Sequence, residues 1–279
     1  MLNDQEYALM SRKILKLIGI DLSFYKSQQM RRRLHGLANS QAGSIVEYCA
    51  LVERDETALT KLKNFLTINV TEFFRDAEQF NLLKTKVMPE LLNRRSHLSV
   101  WSAGCSHGGE PYSVAITLKE ITGDARHRIV ATDIDEQIVE KAKKGGPYLA
   151  ADLANVTPKL VLKYFQKEPD GYYIVDEIKR MVEFKRQDLL KGRFESGFDL
   201  IMCRNVVIYF SDEAKTKLYK GFCDALSPNG ILFIGATETL LEAREVGLER
   251  LHNCFYQKKR EEKLRPALSN VVKAKSSPI

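Results

Sequence analysis

The period of the apolar positions changes once along this chain, near residue 98, and the change divides it in two. Before that point the spacing is helical. Tyr7, Leu9, Ile14, Leu15, Leu17 and Ile18 recur with a helical period and stop at Gly19, a residue suited to ending a helix. Ser27 to Leu37 predicts a second helix with Met30, Leu34 and Leu37 on one side. Ser44 to Leu51 predicts a third, its start marked by Ser44 and by Glu47 three residues on, the pattern of a capping box. Ala58 to Thr67 predicts a fourth, so residues 1–70 read as a small helical bundle. The segment INVTEFFRDAEQF, residues 68–80, then leads across a linker of residues 71–96. In it Thr71 is placed to cap a helix and Phe73, Phe74 and Phe80 to pack.

From Leu98 onward short apolar runs alternate with amphipathic stretches. Leu98 to Ala103, Ile129 to Thr132, Phe198 to Met202 and Gly230 to Ile234 predict buried strands, which with helices between them argue for a doubly wound α/β sheet. Residues 158–190 break this rhythm. Tyr164-Phe165, the turn Asp170-Gly171, Tyr172 to Val175 and Met181 to Phe184 read as short antiparallel strands of an inserted subdomain at 157–190.

Composition adds bounds. The chain has 279 residues, 44% hydrophobic and 28% charged, the profile of a globular protein of one large domain or two modest ones. No apolar run approaches the roughly 20 residues of a membrane helix, and the N-terminus lacks a signal-peptide pattern. Five scattered cysteines form no C-x-x-C, so neither a zinc site nor a disulfide framework is expected, and a reducing cytoplasm is the expected home. The net charge of +7 lies partly in residues 258–279, read as a flexible basic tail, and partly in Lys26, Arg31, Arg32 and Arg33. Such a surface suits an acidic partner.

Candidate chemistry centres on VWSAGCSHGGEPYSVAITL, residues 100–118. A strand, a glycine loop and a helix start, with Pro111 in its first turn, open a Rossmann-like nucleotide site. The loop lacks the middle glycine of G-x-G-x-x-G and the lysine of a triphosphate loop, and it carries Glu110, which repels phosphate and favours a cation such as the amino group or sulfonium of S-adenosylmethionine. Asp133, ending the second strand, stands where such sites bind ribose hydroxyls.

Four pieces in order, INVTEFFRDAEQF, VWSAGCSHGGEPYS, ATDIDEQIVEKA and FDLIMCRNVVIYF, behind a helical leader, resemble the CheR-type chemotaxis receptor methyltransferases over residues 10–257. The resemblance implies a helical receptor-recognition domain, then a Rossmann-like S-adenosylmethionine-dependent methyltransferase domain at 97–257 with a small antiparallel β-subdomain inserted. It implies transfer of methyl from S-adenosylmethionine to receptor glutamates, leaving S-adenosylhomocysteine. Carried over, the cofactor contacts are Asn69, Thr71, Arg75, Gly104, Glu110, Asp133, Asp188, Leu189, Asn205 and Val206, with Arg75 and Tyr209 near the transferred methyl. Lys26, Arg31, Arg32 and Arg33 are expected to face the acidic methylation helices in the cytoplasmic part of a chemoreceptor. The implied enzyme is a monomer at membrane receptor arrays, with no metal, no nucleic-acid partner and no membrane insertion of its own. His107 departs from the family's usual threonine, and Gly109-Glu110 keeps only the second of its paired acids. Asp188 stands where asparagine is also common, and the QKEPDGYY connection is more compact than in members that grip a receptor's tethering peptide. Two other readings of the fold are a nucleic-acid methyltransferase and a non-catalytic cofactor sensor. Against the first, no Pro-Pro-aromatic tetrad follows the FDLIM strand; Cys203-Arg204-Asn205-Val206 stands there instead.

Overall fold

Stop signals in the first 67 residues act as their chemistry requires. In this computed structural model, which describes residues 1–69, 71–240 and 243–259, helix α1 (Asp4–Ile18) ends on Gly19 at φ 81°, where a side chain would be strained. Helices α2 (Ser27–Ala42), α3 (Ile45–Arg54) and α4 (Glu56–Thr67) follow. Ser44 caps α3 by accepting the Glu47 N–H, although Glu47 answers through the Ser44 hydroxyl rather than the backbone. Met10, Ile14, Leu34, Tyr48 and Leu62 form the bundle's own core, against which Ile134 of the following domain also packs.

Among the described residues of 68–76, three non-glycine residues stand at positive φ, namely Ile68, Phe74 and Asp76. The expected cap at Thr71 is not formed. The next helix begins six residues later, as α5 (Ala77–Leu82), because the backbone between is turned by packing. Phe73 is sealed against Tyr148 and Phe165, and the Phe74 N–H donates to Ser113 Oγ at 2.9 Å. A π-helical stretch, Leu83–Val87, joins α5 to α6 (Met88–Leu92).

The second domain is a seven-stranded sheet. Its strands are β1 (Ser99–Ala103), β2 (Arg128–Asp133), β5 (Val182–Arg186), β6 (Phe198–Cys203), β7 (Leu226–Ile234), β8 (Leu248–His252) and β9 (Phe255–Lys258), in the order β5-β2-β1-β6-β7-β9-β8. All pairs are parallel except β7·β9 and β9·β8. Helices α7 (Gly109–Thr122), α8 (Glu136–Lys144) and α11 (Asp212–Ala225) cross between the parallel strands. Helix α7 is buried on every side from Gly109 to Leu118, rather than along one stripe.

Between α8 and β5, a helix α9 (Pro158–Tyr164) leads into the antiparallel pair β3 (Phe165–Glu168) and β4 (Gly171–Ile174), and a short α10 (Asp176–Lys179) returns to the sheet. The inserted hairpin is therefore present, but Met181 to Phe184 is not part of it. That segment is β5, parallel to β2 from Ile129↔Val182 to Asp133↔Arg186, because α8 and the hairpin together serve as its crossover connection. The β8–β9 hairpin at the other side of the sheet was not expected from the sequence. The expected tail lies outside the described residues from 260 on. No helix among the described residues is long and apolar enough to cross a membrane.

The bundle rests on the sheet domain through direct backbone contacts. Tyr25 bridges Phe210 and meets its ring edge-on at 5.2 Å, the Lys26 N–H donates to the Tyr209 carbonyl at 3.0 Å, and the Ser211 N–H to the Phe24 carbonyl at 2.8 Å.

Candidate active site

In an open parallel sheet the crevice lies beyond the strands' carboxyl ends, where the order reverses. Here that point is between β1 and β6, and a cavity enclosing about 960 Å³ of space open to solvent sits there. Asn69, Thr71, Arg75, Gly104, Glu110, Asp133, Asp188, Leu189, Asn205, Val206 and Tyr209, eleven residues from five stretches of sequence, all line it.

Each is placed by a local cause. Gly104 stands at φ 88°, and a Cβ there would lie 2.5 Å from Val206 Cγ2, so only glycine lets the ends of β1 and β6 approach this closely. Asp133, 8% exposed, accepts the Ser106 N–H at 2.9 Å and the Asp135 N–H at 3.0 Å, which aims its carboxylate over the glycine loop. Burial raises its pKa and those two N–H groups oppose the rise. Glu110, also 8% exposed, sits in the first turn of α7, where the helix dipole favours an anion. It accepts the Ser102 hydroxyl at 2.7 Å and pairs with Arg204 Nη1 at 3.3 Å. Burial is again the largest influence and raises its pKa, with Arg204 the chief opposing charge. The Asp188 carboxylate caps its own turn by accepting the Leu190 N–H at 2.9 Å.

Three residues that organise the site were not singled out by sequence reasoning. Arg204 is buried and joins Glu110 to Asp76. Glu238 accepts the N–H groups of Gly235 at 2.6 Å and Asn205 at 3.2 Å, holding Asn205 at φ 60°. Asp135, 1% exposed, pairs with Lys63 of α4 at 2.7 Å and accepts from Asn69 Nδ2 at 3.0 Å, so Asn69 reaches the cavity wall through a tie between the domains. The signal available for all three was a charge directly at or just past the end of an apolar strand. The bundle also supplies Tyr25, Leu66, Thr67 and Ile68 to the cavity.

The four basic residues expected to meet a partner do not form one face. Successive helix residues point about 100° apart, and α2 turns two of its three arginines into the protein. Arg31 pairs with Asp4 at 2.8 Å, donates to the Leu2 carbonyl and lies 4.5 Å over the Tyr7 ring. Arg33 donates to the Phe65 carbonyl at 2.5 Å and lies 5.6 Å from the Tyr209 ring centre. Lys26 and Arg32 face solvent.

The cavity suits a polar cationic nucleotide. Asn205 Oδ1 and Ser106 Oγ, buried in its wall, have no partner within the protein and require one from a ligand or water. Glu110 offers a carboxylate to an amino group and Asp133 one to a pair of hydroxyls. His107, on the loop, binds the Thr71 carbonyl through Nε2 at 3.1 Å, and the His107 carbonyl accepts from Tyr148 Oη at 3.0 Å.

Comparison with known proteins follows the same division of the chain. Residues 69–252 match the family model described as CheR methyltransferase, SAM binding domain, and residues 5–67 match CheR methyltransferase, all-alpha domain. A chemotaxis protein methyltransferase of Listeria innocua is 37% identical over 257 residues, covering 91% of this chain and 98% of that one. Proteins of the same description from Borreliella burgdorferi and Escherichia coli are 34% and 33% identical, covering 82% and 85% of this chain and 87% and 85% of theirs.

Proposed function

The chain belongs to the CheR methyltransferase family, and on that premise we propose that it esterifies glutamate side chains of chemoreceptors with methyl from S-adenosylmethionine, in sensory adaptation. The observation that carries this reading is one cavity lined together by the buried acids Glu110 and Asp133, by Arg75 and Tyr209, and by Tyr25, Leu66 and Thr67 of the helical bundle.

Glu110 would take the donor's amino group, Asp133 its ribose hydroxyls, and Asn69, Thr71, Asp188, Leu189, Asn205 and Val206 the remaining surface. Bound there, S-adenosylmethionine supplies an electrophilic methyl on a sulfonium. The acceptor glutamate is ionised at neutral pH, with a reference pKa of about 4.3, so no general base is needed. What the protein contributes is placement, an effect worth up to roughly 7–11 kcal/mol when the geometry is good. Arg75 orients the incoming carboxylate through its planar fork, and Tyr209 shapes the approach. The Tyr209 ring is held from behind by Arg33, and its backbone by Lys26. Arg33 thus serves the acceptor side by supporting Tyr209, while Lys26 and Arg32 are the residues left to meet an acidic receptor helix. The helical domain is in this reading the receptor-recognition unit of a cytoplasmic monomer that works beside membrane arrays.

Labelled methyl transfer tests the proposal. Incubation with a glutamate-rich coiled-coil receptor fragment should give alkali-labile label on protein. Base-stable label on nucleic acid, or donor binding without any transfer, would defeat it.

A further inference from the structure

A cation withdrawn from water must be compensated by well-placed acceptors, and Arg204 has them on both sides of the methyl-transfer site. It follows directly on β6, and its side chain is 2% exposed. The guanidinium carbon lies 4.7 Å from the centre of the Phe233 ring and 5.3 Å from that of Phe80. Nη1 reaches Glu110 Oε2 at 3.3 Å, while Nη2 donates to Asp76 Oδ2 at 2.7 Å and to the Arg75 carbonyl at 2.8 Å. One planar group therefore spans the first turn of α7 and the segment before α5. These lie far apart in sequence and carry the donor-side acid and the acceptor-side arginine.

Two features separate this from ordinary core packing. Asp76 sits at φ 58° and Phe74 at φ 53°, so the backbone that presents Arg75 is held in a left-handed conformation that non-glycine residues seldom adopt unaided. The Arg204 fork grips that backbone at Arg75 itself. On the other side the Glu110 carboxylate has one oxygen held by Ser102 and the other by Arg204, which fixes its direction toward the cavity.

We propose that Arg204 is a positioning residue that couples the two halves of the site, holding the Glu110 carboxylate for the donor's amino group with one nitrogen and the Arg75–Asp76 backbone for the acceptor with the other. The inference rests on the methyltransferase reading above and adds to it a link between donor binding and acceptor alignment.

The groups facing Glu110 are few. Arg204 and Arg75 are the cations, Ser102 donates a hydroxyl, and the Cys105 and Cys203 thiols nearby are kept protonated by burial. Burial already raises the Glu110 pKa, and Arg204 is the first charge opposing that rise. Without Arg204 the carboxyl therefore takes up its proton at higher pH, and an amino group loses its partner there.

Calorimetry with S-adenosylhomocysteine on the full chain, from about pH 6 to about pH 8, tests the donor half of the coupling without the acceptor, and turnover with a receptor fragment tests the other half. Arg204→Met, which keeps length and packing between the rings, should weaken binding on the order of tenfold, and more as the pH falls. In a Glu110→Gln background the same change should alter binding by less than about twofold, since coupled residues are not additive. Arg204→Lys keeps the charge but not the fork. It should retain more of the affinity than Arg204→Met, yet lose turnover at saturating donor, because one ammonium cannot serve Glu110 and the Arg75 carbonyl together. Thermal melting checks that each variant folds. If Arg204→Met does not, the comparison of Glu110→Gln with Glu110→Gln/Arg204→Met and the lysine variant carry the test. Wild-type affinity with an unchanged pH profile in folded Arg204→Met would overturn the inference. So would an equal loss in the Glu110→Gln background, the mark of a merely structural role. A wild-type chain that binds no S-adenosylhomocysteine would overturn the underlying methyltransferase reading instead.

Discussion

Replacing Asp133 with alanine separates two roles of one carboxylate. In the folded chain its oxygens accept the N–H groups of Ser106 and Asp135 and face the cavity at 8% exposure. Removing them leaves two donors without acceptors, at about 1–3 kcal/mol each if water does not reach them. The cavity is open to solvent, and the buried carboxylate's own desolvation is relieved, so the net loss should fall near the low end, about 1–3 kcal/mol. That corresponds to a melting point lower by roughly 2–4 °C per kcal/mol. The effect on binding is larger. Two ribose hydroxyls bonded to a carboxylate contribute roughly 1.5–3 kcal/mol each, so affinity for S-adenosylhomocysteine should fall by about two to four orders of magnitude. Asp133→Asn should do little better, since an amide has one oxygen for two N–H donors and must turn its NH₂ against one of them. Calorimetry and thermal melting on the same samples read both effects. A folded Asp133→Ala chain with wild-type affinity would refute the placement of the ribose.

Other consequences can be read in the same way. Gly104→Ala meets both a 2.5 Å approach to Val206 Cγ2 and a φ of 88°. It should lower stability by about 2–4 kcal/mol, with Val206→Ala restoring the part due to the clash; an unchanged melting curve would contradict this. Burial lowers the pKa of His107 and of His127. The unfolded chain therefore binds more protons than the folded one below about pH 6.5, and stability is lost as pH falls through that window. The melting point should drop on going from about pH 7.5 to about pH 5.5, and a His107→Gln/His127→Gln chain should show a shallower drop; an identical slope would refute the assignment. Lys26→Ala/Arg32→Ala should raise the receptor KM severalfold at low salt and less at high salt, with donor affinity unchanged. A salt-independent change, or none, would remove those residues from the docking surface.

The site was legible where function fixes residue type next to a recognisable strand end. Gly104, Glu110, Asp133 and Asn205 each follow an apolar run, and their convergence is a property of parallel-sheet topology that the β/α alternation already implied. Arg204 was not legible because its role depends on Phe80, Phe233 and Asp76, which lie far from it in sequence, and a charge after a strand otherwise reads as a loop residue. The Arg31–Arg33 run misled in the opposite sense. Composition shows a basic cluster, but helical geometry gives two of its members to Asp4 and Phe65. Strand β5 was misplaced for a related reason. A half-buried edge strand alternates like a hairpin strand, and only the crossover over α8 and the β3–β4 hairpin makes it parallel. The β8–β9 hairpin showed too little alternation to be read, with two of five residues of β8 exposed and one fully buried.

Ester formation on receptor glutamates is open to peptide mass spectrometry of a receptor cytoplasmic fragment after incubation with the chain and S-adenosylmethionine. Glutamates should be found as methyl esters, heavier than the free acid by one CH₂, restored to their original mass by mild alkali and absent when Arg75→Ala replaces the wild-type chain. Methyl groups that survive alkali, or that sit on residues other than carboxylates, would contradict ester formation.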